Sequence, residues 1–214
     1  MKENFGNVYV NFGSPISVSS FFGKTRRTNV IGPKHVKPIT EDERKVILHV
    51  AQEIVNVQQQ LCTISVFNLM AVVLANNFLQ GNTEGLSLER ISDEVAWLRN
   101  IIEIFGATVS AKNMLEDVCI AINIHKSIVG VDDNQVVYVK QHDVISDEIN
   151  ASKLKGHRLS AKTMSSAVPY VWLQLYINPT LFYFTSPALI TIIVKRNIGG
   201  IDRGEVTIFF LNVN

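Results

Sequence analysis

The spacing of apolar residues predicts a largely helical chain. Between positions 47 and 61 they recur at intervals of three and four: Ile47, Val50, Ile54, Val57 and Leu61. This spacing is typical of one face of an amphipathic helix. Thr40 and Glu43 stand three residues apart just before the run, where a hydroxyl and a carboxylate can cap each other's exposed N–H groups. We therefore predict a helix over residues 41–61.

A second helix is predicted to begin after Ser65, whose hydroxyl can cap it. Residues 66–74 are apolar nearly all round such a helix, so we expect it to be buried. The polar pair Asn76 and Asn77 follows too soon for this segment to cross a bilayer.

Two further helices follow a turn at residues 81–85. Ser87 opens a third helix with apolar residues on one face, and Gly106 is placed to end it. A fourth helix is predicted over residues 113–126. The apolar residues of the third helix are Leu88, Ile91, Val95, Leu98 and Ile102.

A β-hairpin is predicted after the fourth helix. Residues 129–131 and 136–139 are rich in valine and flank a four-residue loop at 132–135. The acidic loop lacks the alternating ligand spacing of a calcium site, so it is interpreted as a turn. Helices followed by a hairpin resemble a winged-helix arrangement, a type of fold that often mediates protein contacts. The predicted fold class is α+β and mostly helical.

A long uncharged segment lies near the end of the chain. Residues 163–194 carry no charged side chain, and a polar connecting segment, 141–162, precedes them. The length would suffice for a membrane span. Pro169, Pro179 and Pro187 favour two shorter helices instead, either buried against a partner domain or lying in a membrane interface.

The first residues alternate in the manner of a strand. Residues 8–12 are rich in β-branched and aromatic types, and Gly13 and Pro15 end the run. The following residues offer no obvious partner strand. We interpret the run as the remnant of a sheet that lies upstream; an edge strand on another chain's sheet is the alternative.

The predicted organisation has three parts. Residues 1–38 hold the remnant strand and a basic linker, whose five Lys and Arg side chains either contact phosphate or an anionic membrane or are simply solvated. Residues 39–195 form the helical region with the hairpin. Residues 196–214 are a divergent tail, either a terminal strand or sequence added by alternative splicing or a misread gene boundary.

Composition narrows the class of protein. The chain has 214 residues, 47% of them apolar and 18% charged, with a formal net charge of +1. A nucleic-acid-binding protein usually has a strong basic excess, so no nucleic-acid partner is expected. The two cysteines, Cys62 and Cys119, form no Cys-x-x-Cys pair, which argues against a disulfide framework and favours reduced intracellular thiols. No histidine has metal-ligand spacing, and no metal or cofactor is predicted.

Short motifs stand at residues 6–17, after Ser65, at 94–98 with 105–106, at 124–127, at 176–178 and at 186–190. In this order they resemble the C-terminal portion of the glycerol-3-phosphate and dihydroxyacetone-phosphate acyltransferases. The run at 6–17 is similar to a late strand of that family, and the helix near Ser65 to its apolar helix. Further similarities lie at Glu94–Leu98 with Phe105–Gly106, at Ile124–Ser127, at Tyr176–Asn178 and at Ser186–Ile190.

The resemblance implies an activity for the full-length enzyme. It would transfer a fatty acyl group from acyl-CoA to dihydroxyacetone phosphate, a step in ether-lipid synthesis at the peroxisomal membrane. The alternative acceptor is glycerol 3-phosphate, at mitochondria or the endoplasmic reticulum. The family's catalytic His-x4-Asp motif lies upstream of the late strand, so we expect this chain to be inactive alone. Ser14 stands where the family usually has an acidic residue.

No catalytic residue is therefore assigned. His142 and Asp147 form a literal His-x4-Asp pair, but they follow the hairpin, in the wrong order for the family, and are treated as a decoy. His125 is expected to be structural, and Trp97 and Trp172 to be core or interface anchors. The rival hypothesis is a non-enzymatic helical module that binds a partner domain or a membrane surface.

Overall fold

The structure is a computed structural model that describes residues 6–22, 39–82, 84–140 and 161–196. In the last range, side chains are described from residue 167 onward. The chain divides into two compact units. One is Val8–Cys62, and the other comprises Met1–Asn7 together with Thr63–Asn214.

Two helices make up the described part of the smaller unit, α1 (Val18–Phe22) and α2 (Glu41–Gln60). The predicted capping box begins α2: the Glu43 N–H donates to Thr40 Oγ1 over 3.3 Å, and the Thr40 N–H donates to Glu43 Oε2 over 2.9 Å. The helix is thus confirmed. The apolar face of α2 is only partly buried: the side chains of Ile47 and Ile54 are 44% and 40% exposed.

The strand predicted at residues 8–12 is not formed. Residues 6–17 have no regular secondary structure, and neither sheet of the described chain includes them. Alternation of apolar residues indicates a strand only where a neighbouring strand supplies the ladder. In this unit the segment is held to α2 instead, by a 2.7 Å hydrogen bond from Asn11 Nδ2 to the Leu61 carbonyl oxygen.

The larger unit is built around α3 (Val66–Leu79). Ser65 caps it as predicted, and nine of its side chains are buried. The helix is apolar on nearly every side because neighbouring elements cover it: α4 (Leu88–Ile104), α5 (Met114–Ile124) and α6 (Ala161–Arg196) all pack on it. Burial of so many apolar side chains is the main source of this unit's stability.

Gly106 ends α4 as the sequence predicts. Its φ is +89°, a left-handed conformation that glycine adopts without steric cost. The Gly106 N–H donates to the Glu103 carbonyl over 3.0 Å, and the Ala107 N–H to the Ile102 carbonyl over 3.0 Å. This pair of bonds is a Schellman motif. The apolar face of α4 is buried as predicted, at Ile91, Val95, Leu98 and Ile102.

In the described part of the chain, five short strands form two sheets. β1 (Thr63–Ser65) pairs in parallel with β3 (Thr108–Ser110). The predicted hairpin is present as β4 (Val129–Val131) and β5 (Val136–Val139). The two-residue β2 (Leu86–Ser87) joins the hairpin on the β5 side, giving the order β2–β5–β4.

The order of these elements along the chain agrees with the predicted winged-helix-like arrangement: α3, β2, α4, α5 and then the hairpin. Gly85 permits the close approach of β2 to β5. It has φ +90°, and a Cβ there would collide with the Val137 carbonyl oxygen. The acidic loop is a turn, as predicted, because Asp132 Oδ1 accepts hydrogen bonds from the N–H groups of Asn134 and Val136.

The uncharged segment departs from expectation. Two shorter helices are predicted, but α6 is one continuous helix of 36 residues with Pro169, Pro179 and Pro187 inside it. Each proline removes one backbone donor, a local cost that tertiary packing can offset. Its part from Ala167 to Arg196 is long and apolar enough to cross a membrane by length and composition, and little of it is buried. Most of the polar segment 141–162 and of the tail lies outside the described residues.

Candidate functional site

Three aromatic rings from distant parts of the sequence meet at one end of α3. The rings of Phe67 and His125 are stacked, with centroids 3.7 Å apart and planes 17° apart. Tyr176 meets both rings edge-on, at 4.8 Å from Phe67 and 4.9 Å from His125. We call Phe67, His125 and Tyr176 the aromatic cluster. It joins α3, the end of α5 and α6.

The backbone fixes the position of His125. As the C-cap residue of α5, it donates its N–H to the Ala121 carbonyl over 3.0 Å. Its own carbonyl accepts from Ile128 and Val129, at 2.8 and 3.1 Å. The residue thus links the end of α5 to the start of β4. These backbone hydrogen bonds set the position from which the ring stacks on Phe67 of α3.

The electrostatics of His125 favour a neutral imidazole. Burial removes the ring from water and lowers its pKa below the usual value of 6.5. A catalytic histidine of the His–Asp type needs a carboxylate that orients the ring and stabilises its charge. Within the described residues, no carboxylate forms a hydrogen bond or ion pair with His125. In the described part of the chain its ring contacts are aromatic, and such contacts suit the cluster to packing.

Asn68 is buried beside the cluster and serves two elements. Its Oδ1 accepts from the Ser65 N–H over 2.8 Å and from Ser65 Oγ over 2.6 Å, which completes the cap of α3. Its Nδ2 donates to the Tyr176 carbonyl oxygen over 2.7 Å. The Asn68 side chain therefore caps the N-terminus of α3 and also hydrogen-bonds α3 to α6.

An open apolar groove lies farther along α6, with a volume of about 590 Å³. One wall is Phe105 at the end of α4, and the other comes from α6, including Phe182, Tyr183, Pro187 and Ile190. Among the described residues that line it, none is charged. The volume falls within the range of roughly 300–1,000 Å³ that is usual for small-molecule sites. Its lining is mostly apolar, so the groove is suited to hold an apolar chain.

The structure brings some of the sequence candidates together and leaves others apart. His125 and Tyr176, from two of the family-like motifs, are in contact. Ser14 is exposed. Trp97 is 62% exposed, so it is not a core residue. His142 and Asp147 lie outside the described residues, and among the described ones no three His, Cys, Asp or Glu side chains could hold a metal ion.

Neither the ring stack nor the groove is predicted from the sequence. One weak signal for the buried face of α6 is present, since its buried positions are separated by 4, 7, 3 and 10 residues, which are whole numbers of helical turns to within a residue: Pro169, Leu173, Thr180, Tyr183 and Ile193. Proline and threonine stand among them, so the pattern is not visible as a run of large apolar residues. The ring contacts join residues 51 or more positions apart and have no local signal in the chain.

Comparisons with known proteins agree with the resemblance. The family described as "Glycerol-3-phosphate acyltransferase C-terminal region" matches residues 1–208. Human dihydroxyacetone phosphate acyltransferase is 24% identical over 187 residues, which is 85% of this chain and 26% of the human protein. The mouse protein of that name is 22% identical over 209 residues, 93% of this chain and 28% of the mouse protein.

The chain thus spans about a quarter of the length of the curated relatives it matches. No solved structure shows a significant match to it.

Proposed function

Because the chain belongs to the family of the glycerol-3-phosphate acyltransferase C-terminal region, we propose that it serves as the C-terminal part of an acyl-CoA-dependent acyltransferase. The proposed reaction moves a fatty acyl group from the thioester of acyl-CoA to the hydroxyl of dihydroxyacetone phosphate and releases CoA. The match across residues 1–208 carries this proposal. The names of the human and mouse relatives favour this acceptor.

Glycerol 3-phosphate is the alternative acceptor, and the family's description supports it. The two acceptors belong to different proposed compartments. With dihydroxyacetone phosphate, the protein acts in ether-lipid synthesis at the peroxisomal membrane. With glycerol 3-phosphate, it acts at mitochondria or the endoplasmic reticulum. Imaging of the tagged full-length protein against markers of these three membranes distinguishes them.

Within this enzyme we assign the chain a structural role. The ring of His125 contacts Phe67 and Tyr176 and has no carboxylate partner among the described residues. His142 and Asp147 are proposed not to be catalytic, because they stand after the hairpin whereas the family's motif precedes the late strand. The 214-residue chain alone is therefore proposed to lack a general base.

The first experiment is an acyltransfer assay of the purified 214-residue chain. Radiolabelled palmitoyl-CoA is supplied with dihydroxyacetone phosphate or with glycerol 3-phosphate, and lipid product is extracted. We expect no product above the protein-free blank with either acceptor. Turnover that His142→Ala abolishes, and that the control His157→Ala leaves intact, would contradict the structural role.

A second experiment tests the family role itself. The transcript that encodes this chain is sequenced upstream of the Met1 codon. A continuous reading frame that encodes a His-x4-Asp motif supports the proposal. The longer protein should then form acyl product, and deletion of residues 63–214 should remove that activity. If this deletion leaves activity unchanged, the proposed role of the larger unit is wrong.

The second candidate function is a non-enzymatic module that binds a partner domain or a membrane surface. The winged-helix-like topology and the largely uncovered α6 favour it. It is compatible with the first, since a C-terminal region can attach an enzyme to its membrane. Flotation of the chain with vesicles of phosphatidylcholine and phosphatidylserine tests the membrane form. A folded monomer that stays with the soluble fraction would eliminate it.

A further inference from the structure

Helix α6 exposes apolar side chains that the other described residues do not cover. Six large apolar side chains on it are between 43% and 65% exposed. We call them the outer face of α6: Val171, Trp172, Leu175, Leu181, Ile192 and Val194. No charged residue occurs between positions 167 and 194. Several exposed apolar side chains on one uncharged helix indicate an interaction site rather than ordinary protein surface.

Several polar side chains in the described part of α6 hydrogen-bond within the helix. Gln174 Nε2 donates to Asn178 Oδ1 over 3.0 Å. Thr185 Oγ1 donates to the Leu181 carbonyl over 2.6 Å, and Thr191 Oγ1 to the Pro187 carbonyl over 2.8 Å. In hydrocarbon, polar groups must find partners inside the protein because no water is present. These side chains already meet that requirement. This favours lipid, rather than a polar protein surface, as the partner that covers the exposed side of α6.

The two ends of this helical segment carry the residue types found at membrane interfaces. Trp172 lies near one end, 43% exposed. Lys195 and Arg196 are exposed in the last turn at the other end. Tryptophan and basic side chains are enriched at the level of lipid headgroups, and lysine and arginine attract anionic lipids. The charge of the segment therefore complements an anionic membrane surface.

Packing indicates how the helix meets the membrane. Phe78 stacks on Tyr170 and Phe67 contacts Tyr176, so α3 runs antiparallel along the first part of α6. Phe105 lines the groove on the later part, and the ion pair Arg99–Glu103 lies just before it in the sequence. A spanning orientation would carry these charges into hydrocarbon, which is costly. A helix lying in the interface avoids that cost.

We propose that α6 lies in the membrane interface with its outer face in lipid, and that the groove at Phe105 takes an acyl chain of an anionic phospholipid. Lys195 and Arg196 bind the phosphate of that lipid. The groove supplies the apolar walls, and Thr191 in its lining is one turn from Lys195. This inference deepens the membrane role proposed above and rests on it, but it does not depend on the acyl acceptor.

The first test uses the two tryptophans as reporters. Trp97→Phe leaves Trp172 on α6, and Trp172→Phe leaves Trp97 on α4 as the matched control. Each full chain is mixed with vesicles of phosphatidylcholine and phosphatidylserine that carry brominated acyl chains, which quench a nearby indole. We expect a blue shift and quenching of Trp172, with little change at Trp97.

The second test measures vesicle affinity in matched variants. Ile190→Asp places a carboxylate in the groove lining, and Ile120→Asp makes the same change at a similarly exposed site on α5. We expect the first to weaken binding about tenfold or more, since charged side chains are costly in lipid, and the second to have little effect. Lys195→Gln with Arg196→Gln should weaken binding to anionic vesicles by about tenfold or more, with no change for pure phosphatidylcholine.

The outcomes separate the inference from the proposal on which it rests. If vesicles bind but Trp172 is not quenched, attachment occurs through another segment, and the inference about α6 is overturned while the membrane role stands. If no vesicle binds, both are overturned. If Ile190→Asp and Ile120→Asp change vesicle affinity equally and leave the circular dichroism spectrum unchanged, the proposed binding of an acyl chain in the groove is also refuted. The acyltransferase proposal is tested separately by the product assays.

Discussion

The bond from Asn68 to α6 allows a test of how α3 and α6 are joined. Replacing Asn68 by Asp keeps an oxygen that can accept from Ser65, so the cap of α3 survives. It removes the Nδ2 donor that lies 2.7 Å from the Tyr176 carbonyl. Asn68→Asp therefore isolates the contact between the helices, and Ser65→Ala, which loses only the capping hydroxyl, is the matched control.

The magnitude follows from the environment of Asn68. Removing the Nδ2 donor leaves the Tyr176 carbonyl oxygen unsatisfied in a buried site, which costs about 1–3 kcal/mol, and the carboxylate oxygen that replaces the donor is a second buried acceptor without a donor, at a similar cost of about 1–3 kcal/mol. A carboxylate near a helix N-terminus recovers about 0.3–1 kcal/mol. Asn68 is only 9% exposed, so solvent cannot replace the lost partner. We expect Asn68→Asp to lower the free energy of unfolding by about 2–3 kcal/mol, against about 1 kcal/mol for Ser65→Ala.

Urea denaturation measures both changes. Far-ultraviolet circular dichroism follows the helices, and Trp172 fluorescence in a Trp97→Phe background follows α6. The midpoint of the Trp172 transition should fall more in Asn68→Asp than in Ser65→Ala. If the two variants lose equal stability, the bond to the Tyr176 carbonyl contributes nothing and the reasoning fails.

Three further substitutions have expected outcomes. Burial lowers the pKa of His125, so below pH 6.5 the unfolded chain binds more protons than the folded chain. The free energy of unfolding should therefore fall as the pH drops through that value. His125→Phe should reduce this pH dependence, which urea titrations at several pH values measure. Gly85→Ala should destabilise the larger unit by more than about 1 kcal/mol and lower the melting temperature of that unit, because the Cβ of the alanine would meet the Val137 carbonyl oxygen. An unchanged melting temperature would contradict the positive φ at this position. Ser92 Oγ is buried without a hydrogen-bond partner in the described part of the chain, so Ser92→Ala should raise stability by up to about 1 kcal/mol, and a loss would indicate a hidden partner.

Local signals predict the helices and the hairpin because each depends on neighbouring residues. The Thr40 capping box, the Ser65 cap and the glycine at 106 each act within one helical turn. The hairpin depends on a four-residue turn that the Asp132 side chain stabilises. Such features are encoded within a few positions of the chain, so the residues themselves suffice to place them.

The failures concern elements whose structure depends on distant residues. A strand at residues 8–12 needs a neighbouring ladder, and none of the described sheets supplies one. The continuity of α6 through three prolines depends on packing against α3, which lies about a hundred positions earlier. The aromatic cluster likewise joins residues that no local pattern connects. The candidate site was therefore less predictable than the secondary structure around it.

The bond between Asn68 and Tyr176 also has a consequence for synthesis, since the two residues are 108 positions apart. On the ribosome, α3 emerges well before α6 exists to cover it. During that interval its apolar surface must be shielded by the strands and helices that follow or by a chaperone. Contacts of such long sequence separation also form late in refolding, because the chain must first close a large loop. Newly made protein should therefore be most prone to aggregate before α6 docks.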